Sequence, residues 1–142
     1  MSTLTTAISA SASALHAERV RIETAVSNMA NAETTRGPDG QPYRRRDVVL
    51  TSEAVNPFDD LLGAASATGV KVAGIVEDEK PFERRYEPSH PDADANGYVA
   101  VPNVDPSEEM VDMLGATRAY QANLAAIGLI RELMARALDL GK

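Results

Sequence analysis

Apolar residues recur every seven positions at both ends of the chain: Ile8, Leu15, Ile22 and Met29 near the start, and Met113, Tyr120, Ile127 and Met134 near the finish. A 3.5-residue repeat lays each set along one narrow seam, the geometry of helices that pair lengthwise. The row beside the first seam (Leu4, Ser11, Glu18, Ala25) is half polar or small. The first helix therefore has a thin apolar line, insufficient for an independent coil but adequate against a larger partner surface. From Leu124 the second face widens to take in Leu129, Ile130, Leu133 and Leu138 beside Ile127 and Met134, which implies contact with more than one neighbour. The predicted fold class is mainly α, with paired N- and C-terminal long helices, coiled-coil-like, and a small irregular or β-rich middle region.

Local signals divide the chain into a helical segment 1–36, a looped-out middle 37–96 with short strands, and a segment 97–142 that enters the second helix. Ser2 or Thr3 can cap the first helix, and the Gly37-Pro38-Asp39-Gly40 run cannot continue it, because Pro removes a donor and Gly favours left-handed turns. Asp47 to Leu50 reads as a short strand, and Asn56-Pro57 as the cap of one or two helical turns through Leu62. Residues 63–69 are small and flexible in character. Val70, Val72, Ile75 and Val76 suggest a second strand broken at Gly74, and Phe82 to Tyr86 a third. Pro88 to Pro106 is a proline-punctuated extended segment. Asp105-Pro106-Ser107-Glu108 then gives the clearest helix start in the chain: a cap, a Pro at the first position and a Glu placed to reach back. That helix runs to Leu140, with Gly141 as its stop.

Composition narrows the function classes. There are no Cys and no Trp among 142 residues, two Phe and four Tyr, so the apolar surface comes mostly from Ala, Val, Leu and Ile and suits thin helix seams. The formal charge of −7 is uneven: residues 1–36 balance, 37–103 carry −5 and 104–142 carry −2. An acidic chain repels a phosphate backbone, so nucleic acid is not an expected partner. Arg44, Arg45 and Arg46, followed by Asp47, read as a solvated strand edge. Disulfides and Cys-ligated metals are excluded. No run approaches the ~20 apolar residues of a membrane span. The N-terminus lacks the basic and continuous apolar regions of a secretory signal.

Candidate chemistry is sparse. Asp92, Asp94, Asn96 and Gly97 match the opening half of a calcium loop, but position twelve is Asn103 rather than the bidentate Glu, and Pro102 lies inside. Losing that carboxylate removes two of about 6–8 oxygens, and a turn with Asn96-Gly97 at its tip is the better reading. His16 and His90 have no second ligand at metal spacing, the serines at 2, 9, 11 and 13 sit in no nucleophile elbow, and no Gly-rich loop follows a strand. The expectation is no catalytic residue, no cofactor, no metal and no small-molecule substrate. More informative are four amides beside the seams, Asn28, Asn31, Gln121 and Asn123, because a polar amide near a seam can fix register and partner.

These residues also carry a resemblance. Residues 25–35, Ala-Val-Ser-Asn-Met-Ala-Asn-Ala-Glu-Thr-Thr, with Ser27, Asn28 and Asn31, resemble the ASNIANxxT signature of bacterial flagellar rod and hook proteins. Residues 97–105, with Gly97, Tyr98, Pro102 and Asn103, followed by Glu109-Met110 and by Tyr120, Gln121 and Asn123, resemble the C-terminal signature of one branch, the proximal-rod C-type flagellar basal-body rod proteins. The likeness covers residues 10–36 and 88–142; residues 52–85 carry no matching motif. Met29 stands where Ile is usual and Gly128 where Asn is common, which could loosen the second helix locally.

The resemblance implies a structural subunit of the rod, the shaft between the motor ring and the hook. Its terminal helices would pair with each other and pack against neighbouring subunits, itself and other rod proteins, around a central channel. The interface residues are then the seam positions already named, Leu124 and Leu138 included. The motor-ring adaptor at the base and the flagellar type III export apparatus would be further partners. The location would be the periplasmic rod of the basal body, reached without a cleavable signal. The alternatives are another flagellar axial protein or, from a different class, a soluble helical-hairpin adaptor, which would form a discrete dimer and have no role in motility.

Overall fold

The structure, a computed structural model, describes residues 3–55 and 68–140. The expected helical turns of 56–62, most of the small-residue stretch after them, and the caps at Ser2 and Gly141 lie outside these residues. In chain order come α1 (Thr3–Ala30), β1 (Arg46–Ala54), β2 (Thr68–Glu77), β3 (Glu83–Tyr86), β4 (Tyr98–Val101) and α2 (Pro106–Leu140). The two long helices, of 28 and 35 residues, sit at the two ends of the sequence and pair. The middle is two small sheets, β1 with β2 and β3 with β4. The expected fold class is the observed one.

The chain forms two compact units. Among the described residues, one comprises 3–20, 49–55, 68–74 and 115–140. Its most buried apolar side chains are Ala17 and Ala116, and small residues at a seam allow helix axes to come close. Helix and sheet are tied here through Ser13, whose Oγ donates to the Ala10 carbonyl at 2.7 Å and accepts from the Val70 amide at 3.0 Å. The backbone of β2 approaches so closely that a Cβ on Gly69 would lie 2.8 Å from that Oγ. A side chain at position 69 would therefore force Ser13 to shift.

The other unit comprises residues 21–48 and 75–114. Its apolar core is Ala25 with Val99 and Val101 of β4. Strands β3 and β4 are antiparallel, with Glu83 opposite Val101 and Tyr86 opposite Tyr98, and the Tyr86 and Tyr98 rings meet edge-on at 5.3 Å. The turn entering β4 is built on Asp94. Its Oδ1 accepts from the amides of Asn96 (2.8 Å) and Tyr98 (2.9 Å), and its carbonyl accepts from Gly97. Gly97 sits at φ 82°, with Tyr86 and Pro88 where a Cβ would go, a conformation that side chains resist. The Asn96-Gly97 turn is thus present, with Asp94 as its staple.

Three details depart from the sequence expectations. Helix α1 stops at Ala30, before the Gly37–Gly40 run, which forms its own turn around Gly40 at φ 79°. At that stop the Asn31 side-chain amide joins its own backbone N–H on the Ser27 carbonyl, at 2.9 and 3.2 Å, a local bond of the kind Asn makes at helix ends. Strand β2 runs unbroken through Gly74, where nothing crowds the missing Cβ. The proline-punctuated stretch contains β4, whose Val99 and Val101 alternate inward. Helix α2 starts as expected, with Asp105 Oδ1 accepting from the Ser107 amide at 2.7 Å. The returning bond of Glu108 is not among those of the described residues. Gly115 and Gly128 leave the helix continuous.

Candidate functional site

The covered positions of α2 include Glu109, Met113, Ala116, Tyr120, Asn123, Ile127, Ile130 and Met134, a subset spaced alternately four and three apart. This is a two-row seam; the expected seven-residue line Met113, Tyr120, Ile127, Met134 is one of its rows. The second row is Glu109, Ala116, Asn123, Ile130. Leu124 and Leu138, expected on the seam, stand 55% and 72% exposed on the single chain. On α1 the expected residues Ile8, Leu15, Ile22 and Met29 are half-buried, while the deepest positions are the small or polar Ala17, Ala25 and Asn28 beside them.

The most buried polar group of α1 is Asn28, at 1% exposure, and its amide is completely used. Its Nδ2 donates to the Arg46 carbonyl (2.8 Å) and to Glu109 Oε2 (2.9 Å). Its Oδ1 accepts from the Arg46 amide (3.0 Å) and the Tyr43 hydroxyl (2.9 Å). The paired bonds to Arg46 imitate a neighbouring strand, since one side chain satisfies both the N–H and the C=O of the residue that opens β1. Asn103 does the adjacent task. Its Oδ1 accepts from the Arg45 amide at 2.9 Å, with Pro102 buried beside it. Two asparagines from opposite ends of the sequence thus receive two successive backbone N–H groups.

Glu109, in the first turns of α2 and also 1% exposed, closes the cluster. Its Oε1 accepts from Arg45 Nε at 2.6 Å while Oε2 holds Asn28. Arg45 reaches Asp112 (3.3 Å) and Asp47 (3.5 Å) toward solvent. Burial works against the charge on Arg45, but the hydrogen bond and charge of Glu109, aided by Asp47 and Asp112, outweigh it and raise its pKa above the ordinary value. Among the described residues no buried side-chain nitrogen or oxygen lacks a partner. An unpaired carboxylate at this depth would be strongly destabilising, so the cluster stands or falls together.

The arginine run is therefore not a solvated edge. Arg45 is the partner of Glu109. Arg44 packs over the Phe82 ring at 4.4 Å and donates to the Asp78 and Lys80 carbonyls, and only Arg46 is exposed. Of the four amides beside the seams, Asn28 alone joins separate segments. Asn31 and Asn123 donate to the carbonyls four residues before them, Ser27 and Ala119, and Gln121 is exposed. Ser27 takes part through its carbonyl, and Gly97 and Tyr98 shape the β3–β4 turn. Sequence placed Arg45 only in the basic run and Glu109 only in the family signature, and the pairing of the two was not expected. One available signal was that Glu109 lies in heptad phase with Ala116, Asn123 and Ile130, four residues before Met113.

The remainder of the former calcium match is occupied differently. Asp92 accepts from Thr35 Oγ1 (2.8 Å) and pairs with Arg36 (3.3 Å), while His90 Nδ1 accepts from the Asp92 amide. A cavity of about 340 Å³ lies over Asp92, Thr35, Arg36 and Pro91. No group of three or more metal-ligating side chains occurs among the described residues. The arrangement holds a backbone together and presents no nucleophile with a base beside it.

Known proteins agree with this reading. The family model for the C-terminal region of flagellar basal body rod proteins FlgE, FlgF and FlgG matches residues 95–140. The chain is 45% identical over 130 residues to the flagellar basal-body rod protein FlgC of Salmonella typhimurium, covering 92% of each. It is 44% identical to FlgC of Bacillus subtilis, covering 95% of this chain and 96% of that one. With FlgC of Aquifex aeolicus the identity is 40%, over 96% of both. Likeness over nearly the whole length, together with the paired terminal helices, places the chain in the family of FlgC flagellar basal-body rod proteins, non-enzymatic structural subunits of the rod.

Proposed function

We propose that the chain builds the rod through the apolar surfaces that α2 leaves uncovered, and that torque passes from motor ring to hook through many repeats of those contacts. The observation that carries this reading is the placement of leucines on α2. Leu124, Leu129, Leu133 and Leu138 are all exposed on the single chain, at 47% or more. A helix apolar on more sides than its own partner can cover is suited to several neighbours. Contacts of that kind that do not close into a ring generate a helical tube.

The partners in this reading are further copies of the same chain, other rod proteins and the adaptor at the base. The route is the flagellar type III export apparatus, which the subunit crosses unfolded. Two features support such passage: the chain has no cysteine to cross-link on the way, and no described helix is long and apolar enough to lodge in a membrane. The seam positions Ile22 and Ile127 belong to the helical framework on which those free surfaces depend. Motility and basal-body purification test the proposal. Cells whose only copy carries Ile22→Asp or Ile127→Asp are expected to make the chain and lack rods, because a charge is unfavourable in a half-buried apolar seam. Normal swimming by either strain would remove the seam from the mechanism.

A further inference from the structure

The heptad pattern of both helices has a built-in ambiguity. Ile8, Leu15, Ile22 and Met29 repeat every seven residues, as do Met113, Tyr120, Ile127 and Met134. Sliding one helix along the other by seven residues, about 10 Å, sets apolar residues against apolar residues again. The deepest apolar helix positions, Ala17, Ala25 and Ala116, are small and alike, so they do little to distinguish one offset from the next. The segment joining α1 to β1, residues 31–45, contains turns but no helix or strand that would forbid the slip.

We propose that the cluster of Asn28, Arg45 and Glu109 is a register lock, which admits one offset of α1 against α2 and rejects the heptad-shifted ones. Only one register lets a single carboxylate serve Asn28 Nδ2 at 2.9 Å and Arg45 Nε at 2.6 Å. The slip that brings residue 24 to 119 takes Asn28 from Glu109 and sets it against Ala116, which offers its amide no side-chain partner. Each such orphan disfavours the slipped register by roughly tenfold or more. The lock is also tied to the sheet. Asn28 grips both backbone groups of Arg46, and Asn103 grips the Arg45 amide, so the helix offset and the position where β1 begins are set by the same bonds. In this role the polar groups give uniqueness rather than net stability, the use best attested for a buried polar residue in a helical seam.

The inference rests on the pairing of the helices within one chain, not on how subunits assemble. A failure of the assembly proposal appears in motility, and a failure of this one appears in intramolecular distances. The absence of native cysteine makes those distances readable. Thr24 and Asp112 line one small cavity with Asn28, Arg45 and Glu109. A Thr24→Cys, Asp112→Cys pair therefore reports the native register, and a Thr24→Cys, Ala119→Cys pair reports the register one heptad on. Both pairs are placed in the full chain and in the Asn28→Leu, Arg45→Leu, Glu109→Leu triple variant. They are bridged in intact cells with a short thiol-to-thiol reagent and read as intramolecular mobility shifts on denaturing gels. With Asn28, Arg45 and Glu109 intact, the 24–112 pair alone should bridge. In the triple variant, the preference for 24–112 over 24–119 should fall by roughly tenfold or more, from the same orphan penalty. If the triple variant bridges only 24–112 at the native yield, the apolar seam sets the register and the proposal fails. If it bridges neither pair, the cluster maintains the fold rather than its register, and the proposal fails equally.

Discussion

Around Asn28 and Glu109 the terminal helices meet through polar groups that are buried and completely paired, whereas beyond residue 120 helix α2 carries four leucines in the open. The usual distribution is reversed on both counts, since polar groups normally face water and large apolar groups avoid it. Each reversal has its own consequence. A buried polar cluster tolerates only one arrangement of the segments that compose it, so it specifies a chain's internal geometry. Exposed leucines on more than one side of a helix are undemanding about a partner's details and supply area, so they suit contact with other molecules.

This contrast is broken most severely by removing one member of the cluster. Glu109→Leu leaves the Arg45 guanidinium without its buried partner and should cost about 3–5 kcal/mol in chemical denaturation of the full chain. Asn28→Ala comes next, at about 3 kcal/mol, because it strands the Arg46 amide and one oxygen of Glu109. Asn123→Ala sharpens the comparison: its amide bonds only within its own helix, and Ala is the better helix former, so stability should change by less than about 0.5 kcal/mol. If Asn28→Ala and Asn123→Ala proved equally mild, the cluster would lose its claim to be special. A smaller loss, about 1 kcal/mol, is expected for Asp105→Ala, which removes the cap of α2.

The smallest effect concerns pH. The amides of Tyr98 and Asn96 lower the pKa of the Asp94 carboxyl below its ordinary value. A group with a depressed folded pKa adds stability above its unfolded pKa and loses it as pH falls through the folded one. The turn before β4 should therefore hold through the ordinary carboxylate range and loosen only below it. Amide exchange at Asn96 and Tyr98, followed down in pH, reads this directly, and Asp94→Asn should abolish the dependence.

Much of the fold was legible from residues alone. Asp105-Pro106 marked the start of α2 to the residue, and the heptads marked both helices. Strand β1 was visible in Asp47 to Leu50 because β-branched residues cluster there. Strand β4 was hidden, because Pro88, Pro91, Pro102 and Pro106 dominate the local pattern and only Val99 and Val101 carry its alternation. The cluster was half visible: Asn28 stood out as an amide at a seam, but its partners lie 18 and 81 residues away. Local periodicity cannot supply pairings over that distance. The arginine run was misread for the same reason, since what makes Arg45 internal is a carboxylate from the other end of the chain.

The central claim is a division of labour, in which the polar cluster fixes the subunit and the exposed leucines of α2 build the rod. Purified basal bodies from cells whose only copy carries Leu129→Asp with Leu133→Asp test it most directly. The account predicts a chain with unchanged denaturation, normal levels in the cell and no assembled rod. Intact rods containing the double variant would contradict it.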